Sequence, residues 1–400
     1  MRALLEESFR AAVAAADPLK ILGPHLPPPP RGRIFVAAAG KAAASMALAV
    51  EKNYSFEVKG IAITRYGHGL PTRRIRVVEA GHPVPDEAGE AAASEILQKT
   101  KELKEEDLLL VLLSGGGSSL LSLPAPGVSM ADLKGLTSQL LRSGAPIQEM
   151  NTVRKHLSAI HGGRLAAACR APVLALIISD VTGDDPTHIA SGPCAPDLTT
   201  IDDAKAVLAK YRIEYRGPFS ESPKSVRATN KVIATAYRSL EAAAEVFRKN
   251  GIRPEILGDT ITGEACEVGR EMAQLARRTK GPAALISGGE CTVTLEGESG
   301  RGGRCAEFLL ALGIELEGAA NVWAIAADTD GIDGSEDNAG AVLSPDSLAR
   351  ARTRGLDARR FLEKNDSYGF FSALGDLLVT GPTRTNVNDY RAILTGVPGA

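Results

Sequence analysis

Short apolar runs alternate with longer amphipathic stretches along most of this chain. Arg33–Ala39, Leu108–Leu113, Val173–Ile178, Ala283–Ser287 and Val322–Ala327 are dominated by aliphatic residues without polar alternation, the pattern of strands covered on both faces. Between them, Lys41–Lys52 and Cys305–Glu315 place apolar residues at helical spacing. This strand–helix alternation predicts an α/β protein built on parallel, doubly wound sheets. A first helix is expected over Met1–Ala16, followed by a stiff Pro27–Pro30 connector that cannot be helical. Gly217, Pro218, Ser220, Ser222 and Pro223 interrupt the pattern, so the chain is divided into domains 1–222 and 223–400. Beyond them, Val226–Asn250 reads as one long helix closed by Gly251, which suits a left-handed cap.

The length of 400 residues agrees with two domains at about 150 residues each. With 44% hydrophobic residues, a core can form without disulfides or metals. Lys and Arg number 46 against 48 Asp and Glu, a net charge of -2, which gives no long-range field to hold nucleic acid or an anionic membrane. Every apolar run is far shorter than the roughly 18 residues a bilayer requires. Glu6 and Glu7 fall where a secretion signal would be continuously apolar. Five scattered cysteines without a Cys-x-x-Cys pair disfavour a disulfide framework or zinc knuckle, and a cytoplasmic protein is expected.

In open α/β sheets the chemistry lies just past the carboxyl ends of strands. Gly40-Lys41 follows the first strand, and Ser114-Gly115-Gly116-Gly117-Ser118-Ser119 follows Leu108–Leu113. Ser287-Gly288-Gly289-Glu290 follows another strand, and Gly300-Arg301-Gly302-Gly303-Arg304 opens a helix. Glycines let backbone amides approach anions, and arginine adds a charged fork. Each turn alone is explained by tight strand-to-helix geometry; together, with their cations, they point to phosphate and carboxylate groups. Named fingerprints fail. Phe35 and Ala42 stand where a Walker A loop needs Gly and Ser or Thr, and Leu120 stands where a dinucleotide fingerprint needs Gly.

Two acidic turns complete the set. Ser179–Pro186 contains Asp180, and Asp328–Gly334 contains Asp328 and Asp330. Such carboxylates hold Mg²⁺ or accept a hydroxyl proton, though Asp before Gly is also an ordinary turn former. Ile332 rules out a calcium-loop template. Metal, cations and a base are the parts phosphoryl transfer uses. The six histidines show no metal spacing, and the cysteines read as packing residues.

These motifs together resemble the glycerate 2-kinase family, with its glycerate-kinase N-terminal region and leucine-rich, MOFRL-type C-terminal domain. The resemblance rests on Gly40-Lys41-Ala42-Ala43, His82–Asp86, Leu113–Ser119, Asn151–Leu165, Ser179–Pro193, Ser287–Glu290, Arg301–Arg304 with Glu307, Asp328–Gly340 and Thr380–Asp389. It implies a Rossmann-like N-terminal domain, a smaller C-terminal α/β domain and an active site in the cleft between them. Cys305-Ala306 stands where Asn-Gln is usual, Arg384 replaces a Gly and Thr182 a Pro.

The implied reaction is transfer of the ATP γ-phosphoryl group to the 2-hydroxyl of D-glycerate, with Mg²⁺. The lysine and glycine-loop arginine of the family correspond to Lys41 and Arg304; they are expected to neutralise the moving phosphoryl group with the amides of Gly302 and Gly303, and Asp180 to be the base or the group that orients the hydroxyl. Asp328 and Asp330 are expected to hold Mg²⁺, directly or through water. Ser114, Gly115, Gly116, Gly117 and Ser118 grip an anionic end, and Gly288, Gly289, Glu290 and Asn388 complete the binding set. Expected partners are D-glycerate and ATP, with no nucleic acid or membrane; a homodimer is allowed. The rival readings are a hydroxypyruvate reductase, a label some relatives carry, and a non-catalytic sensor of a small phosphorylated metabolite.

Overall fold

A computed structural model describes residues 1–295 and 300–397. They fall into two compact units, Pro18–Ile233 and a second that joins Met1–Asp17 to the chain from Ala234 onward.

The first unit is built on six strands: β1 (Ile34–Ala39), β2 (Val58–Arg65), β3 (Ile75–Ala80), β4 (Leu108–Leu113), β5 (Val173–Ile178) and β6 (Thr229–Ala234). Their spatial order is β3-β2-β1-β4-β5-β6. β1 pairs in parallel with both β2 and β4, β2 with β3, and β4 with β5. Every residue of β1 and β4 is buried, as their unbroken apolar runs predict. The chain first winds outward through β2 and β3, then returns to the other side of β1 as β4. Strand order therefore reverses between β1 and β4, and at such a point the two following connections diverge and leave a crevice. Ala39 lies opposite Leu113 at the carboxyl ends, so residues 40–41 and 114–117 meet there. On one flank, the helix Ile147–His156 buries Met150 and Val153, with the following Leu157, against the helices Met130–Arg142 and Ile201–Lys210.

The second unit holds β7 (Arg253–Gly258), β9 (Ala283–Gly289), β11 (Trp323–Asp328), β12 (Gly340–Leu343), β13 (Leu377–Leu378) and β14 (Asp389–Thr395), ordered β13-β12-β11-β14-β9-β7. A short parallel ribbon pairs β8 (Gly263–Glu264) with β10 (Cys291–Thr292). This six-stranded sheet is mixed, which corrects the expectation of a parallel sheet. Only β7 and β9 run parallel, and the other four pairings are antiparallel. A buried apolar run does not carry its direction, so the sequence pattern is the same for either orientation. The last strand, β14, enters the middle of the sheet and is buried throughout, setting Asp389 opposite both Asp328 and Gly289.

Three further expectations change. Val226–Asn250 is not one helix: Thr229–Ala234 forms β6, and the helix starts at Ala236 behind the cap Thr235, whose side chain accepts from Arg238 N. Thr229, Val232 and Ile233 are β-branched and favour a strand. Because β6 belongs to the first sheet, the division lies at 233/234 rather than 222/223. The opening helix, Arg2–Ala14, joins the second unit. Leu5, Phe9 and Ala12 pack with Leu240, Phe247 and Tyr390, the Phe9 and Tyr390 rings lie 5.9 Å apart, and Tyr390 Oη donates to Ser8 Oγ at 2.7 Å. An amphipathic stripe predicts burial without naming the surface that covers it.

Phe9 is 1% exposed, so Phe9→Ala should destabilise the protein by about 3–5 kcal/mol. Hydrogen exchange then shows lost protection in β11 and β14. Loss confined to β1–β5 would contradict this placement.

Candidate active-site residues

Within the first unit, the two connections at the switch point are tied together. Lys41 N donates to Gly115 O at 2.8 Å, Ser114 N to Ala39 O at 3.1 Å, and Ala42 N to Ser114 Oγ at 3.0 Å. Ser114 is thus committed to joining the loops rather than presenting its hydroxyl outward. Two glycines are required by close approach. A Cβ on Gly40 would lie 2.2 Å from Ser114 Oγ. One on Gly116, at φ 80°, would lie 2.9 Å from the His82 ring and 3.5 Å from Lys41 Cγ. Lys41 and His82 therefore both run past the glycine loop, His82 arriving from the turn after β3. Asp86, in the same motif as His82, caps the helix Glu87–Lys101 by accepting from Gly89 N. The Ile189–Ser191 turn covers the other end of the loop. Ala190 Cβ blocks a side chain at Gly117 from 2.6 Å, and Ser191 Oγ is 2.8 Å from Ser118 Oγ. Asp180 lies two residues beyond β5 and is half-buried.

In the second unit Arg304 is the hub. Its Nε meets Asp389 at 2.8 Å, Nη2 meets Asp328 at 2.8 Å, and Nη1 meets Glu290 at 3.2 Å. Burial works against its charge, but Asp389, Asp328 and Glu290 outweigh it and hold Arg304 above the ordinary arginine value. Asp389 also accepts from the buried Arg391 at 2.8 Å. Each terminal guanidinium nitrogen carries a second N–H, so Arg304 keeps capacity for an anion. Glycines 302 and 303 are packed by side chains: a Cβ would lie 2.3 Å from Ser367 Oγ at Gly302 and 2.2 Å from Asp333 Oδ1 at Gly303. Gly288 and Gly289 lie inside β9 rather than in a turn beyond it, and Ile261 O blocks any side chain on Gly289 from 2.2 Å. Close backbone approach accounts for them without an anion. Asn388 adopts φ 66°, and its carbonyl accepts from Thr329 Oγ1 at 2.6 Å, bracing the acidic turn. Cys305 and Ala306 are buried in the helix Arg304–Leu316, so these departures from the family pattern alter packing.

Asp328 and Asp330 are already engaged within their turn. Asp328 accepts from Arg304 and, through Oδ1, from Asp330 N at 2.9 Å, while Asp330 Oδ1 accepts from Ile332 N at 2.8 Å. Among the described residues no group of three or more His, Cys, Asp or Glu could hold an ion. Among the described residues the donors do not form an all-protein cage. They fit Mg²⁺ bound through one or two carboxylates and otherwise by water and substrate phosphates.

The model described as a domain of unknown function, DUF4147, matches residues 4–231, and the MOFRL family model matches 283–389. The chain belongs to the DUF4147–MOFRL family. A D-glycerate 2-kinase of Thermotoga maritima is 40% identical over 97% of this chain and 97% of its own. A putative hydroxypyruvate reductase of Agrobacterium vitis is 50% identical over 99% of this chain and 94% of its own. The crystal structure of a glycerate kinase from Thermotoga maritima superposes with a TM-score of 0.89 at 39% identity, covering 98% of this chain and 99% of that one.

Sequence reasoning on this DUF4147–MOFRL chain missed four residues. Asp389 anchors Arg304; Asp333 accepts from Cys305 N and Ala306 N at 3.0 and 2.8 Å; Asn151 and Arg154 flank Ser191 at 3.0 and 3.3 Å. Asn151 and Arg154 are three apart, one helix face, which was the available signal. Asp333 lies in the acidic turn Asp328–Gly334, whose composition marked the turn but not which carboxylate would meet the helix amides.

Burial raises the Asp333 carboxyl from 3.8 to about 7, against the pull of those two amides. Between about pH 4 and 7 the folded protein therefore keeps a proton that the unfolded chain releases. Stability from this group is full below about pH 4 and is lost as pH rises through 7. In urea unfolding, wild type should lose stability relative to Asp333→Asn across that window. Parallel pH profiles would contradict the assignment.

Proposed function

We propose that this protein transfers the γ-phosphoryl group of ATP to the 2-hydroxyl of D-glycerate, giving 2-phosphoglycerate and ADP. The observation that carries the reading is the switch point between β1 and β4, where Lys41 passes a loop of three glycines, in a chain 40% identical to a D-glycerate 2-kinase. A loose phosphoryl transition state needs positioning and charge stabilisation more than covalent chemistry. In this reading the substrate O2 bonds to Pγ as the bond from Pγ to the bridging oxygen breaks, and the electron pair leaves with ADP. The hydroxyl proton passes to Asp180. Lys41 and Arg304 neutralise charge on the phosphoryl group, with amides of Gly302 and Gly303. The loop Ser114–Ser118 receives an anionic end of a substrate, Glu290 and Asp389 aim Arg304, and Asn388 braces the acidic turn. Asp330, with Asp328 behind it, would hold Mg²⁺, which would supply charge neutralisation on the nucleotide phosphates.

The name hydroxypyruvate reductase on a relative 50% identical favours a second reading, as does a strand order shared with dinucleotide-binding sheets. Against it, the turn after β1 is Gly40-Lys41-Ala42-Ala43, without the glycine spacing a pyrophosphate needs. Hydroxypyruvate with NADH should leave the NADH absorbance unchanged, whereas radiolabel should pass from [γ-³²P]ATP to D-glycerate. Oxidation of NADH without label transfer would reverse the choice. Lys41→Ala should cut turnover by about 10²–10³-fold with an unchanged melting temperature; near wild-type rates would remove Lys41 from the mechanism.

A further inference from the structure

Beside the glycine loop, the first unit holds a positive charge that no carboxylate among the described residues pairs with. Arg154 projects from the helix Ile147–His156, and its Nη1 donates to Asn151 Oδ1 at 2.7 Å and to Ser191 Oγ at 3.3 Å. Among the described residues no carboxylate pairs with it. Its neighbours are served differently. Lys155 meets Asp197 at 3.5 Å, and Arg164 is spent on the carbonyls of Lys155, His161 and Ser220. Burial lowers the Arg154 pKa to about 10, still charged at neutral pH. A half-buried cation whose partners are all neutral is costly.

The surroundings sharpen the imbalance. His161 is fully buried with neither ring nitrogen hydrogen-bonded. Burial, then the cations Arg154, Arg164 and Lys155, push its pKa down to about 3, so the ring stays neutral. Ser191 is held in place at a conformational cost. Ala190 and Ser191 take φ of 50° and 55°, with Gly192 at 59°, and side-chain-bearing residues adopt this region only where surrounding structure imposes it. The result sets Ser191 Oγ 2.8 Å from Ser118 Oγ and 3.0 Å from Asn151 Oδ1. Ser118 ends the glycine loop, two residues after the Gly116 that Lys41 passes.

We propose that Arg154, with the hydroxyls of Ser191 and Ser118, is the subsite for the substrate's carboxylate. A planar guanidinium and adjacent hydroxyls match a planar, singly charged acid, and a bound carboxylate supplies the charge this corner lacks. The assignment rests on the proposed function and extends it by dividing the loop: the Gly116 end, beside Lys41, serves the phosphoryl group, and the Ser118 end serves the acid. In a 2-hydroxy acid the reacting hydroxyl is on the carbon next to the carboxylate. Anchoring the acid here holds O2 by the loop and leaves O3 one carbon farther away.

The test compares wild type, Arg154→Gln and Arg154→Lys with D-glycerate and its uncharged methyl ester, alongside melting temperatures and calorimetric titration of D-glycerate without nucleotide. Arg154→Gln should lower kcat/KM for D-glycerate by about 10²-fold or more, as expected when a site built for a polar group loses its partner. It should abolish preference for the acid over the ester and leave the KM for ATP within about twofold. Arg154→Lys should restore part of the preference. A rise in the ATP KM, or an equal fall for acid and ester, would overturn the subsite while leaving glycerate phosphorylation intact. If wild type does not phosphorylate glycerate, the functional reading fails, and calorimetry alone decides the subsite. D-glycerate binding lost in a folded Arg154→Gln would uphold it; equal or absent binding in both proteins would overturn it.

Discussion

Everything in the first unit depends on the parallel pairing of β1 with β4 at the place where strand order reverses. The two strands are buried along their whole length, so the hydrophobic effect fixes their register and brings their carboxyl ends level. Their connections leave in opposite directions, and the backbone just beyond them cannot be filled from either side. Gly40 and Ser114 are in contact there because the register demands it. Lys41, Ser118 and, through the Ile189–Ser191 turn, Ser191 and Arg154 are arranged around that contact. The stability of a hydrophobic sheet thereby becomes positional precision for a handful of polar groups.

The second unit reaches a similar end by electrostatics. β14 enters between β9 and β11 and places Asp389 level with Asp328, so that two carboxylates from neighbouring strands grip Arg304, with Glu290 as a third. Arg391 shares Asp389 and lies 5.2 Å from the Phe308 ring centroid. Three carboxylates against two guanidiniums leave this set acidic, suited to a cationic or metal-bearing partner rather than a bare anion. In the first unit, by contrast, Arg154 beside the loop is paired with no carboxylate among the described residues.

Much of this was legible in the sequence, and the rest was hidden for physical reasons. The unbroken apolar runs located β1, β4, β5, β9 and β11 within a residue or two, because full burial leaves a clear signature. Glycine after those strands marked the loops, since close backbone approach excludes a Cβ. Strand direction in the second sheet was not legible, as Asp389–Thr395 would look the same in either orientation. Strand β6 was concealed by the helix it precedes, and the destination of Arg2–Ala14 by the symmetry of any amphipathic stripe. Among site residues, Lys41 and Arg304 were marked by charge beside glycine. Arg154 lay in a quoted motif, three residues from Asn151, but what distinguishes it is that its partners are neutral and no carboxylate among the described residues pairs with it, a property of three dimensions.

The central claim is that this crevice holds a hydroxy acid with its 2-hydroxyl, not its 3-hydroxyl, presented to the phosphoryl group. Proton and phosphorus NMR of the product formed from D-glycerate, ATP and Mg²⁺ tests it most directly. The account predicts one phosphate ester whose phosphorus couples to the single proton on carbon 2. Coupling to the methylene protons of carbon 3, or unreacted glycerate, would contradict it.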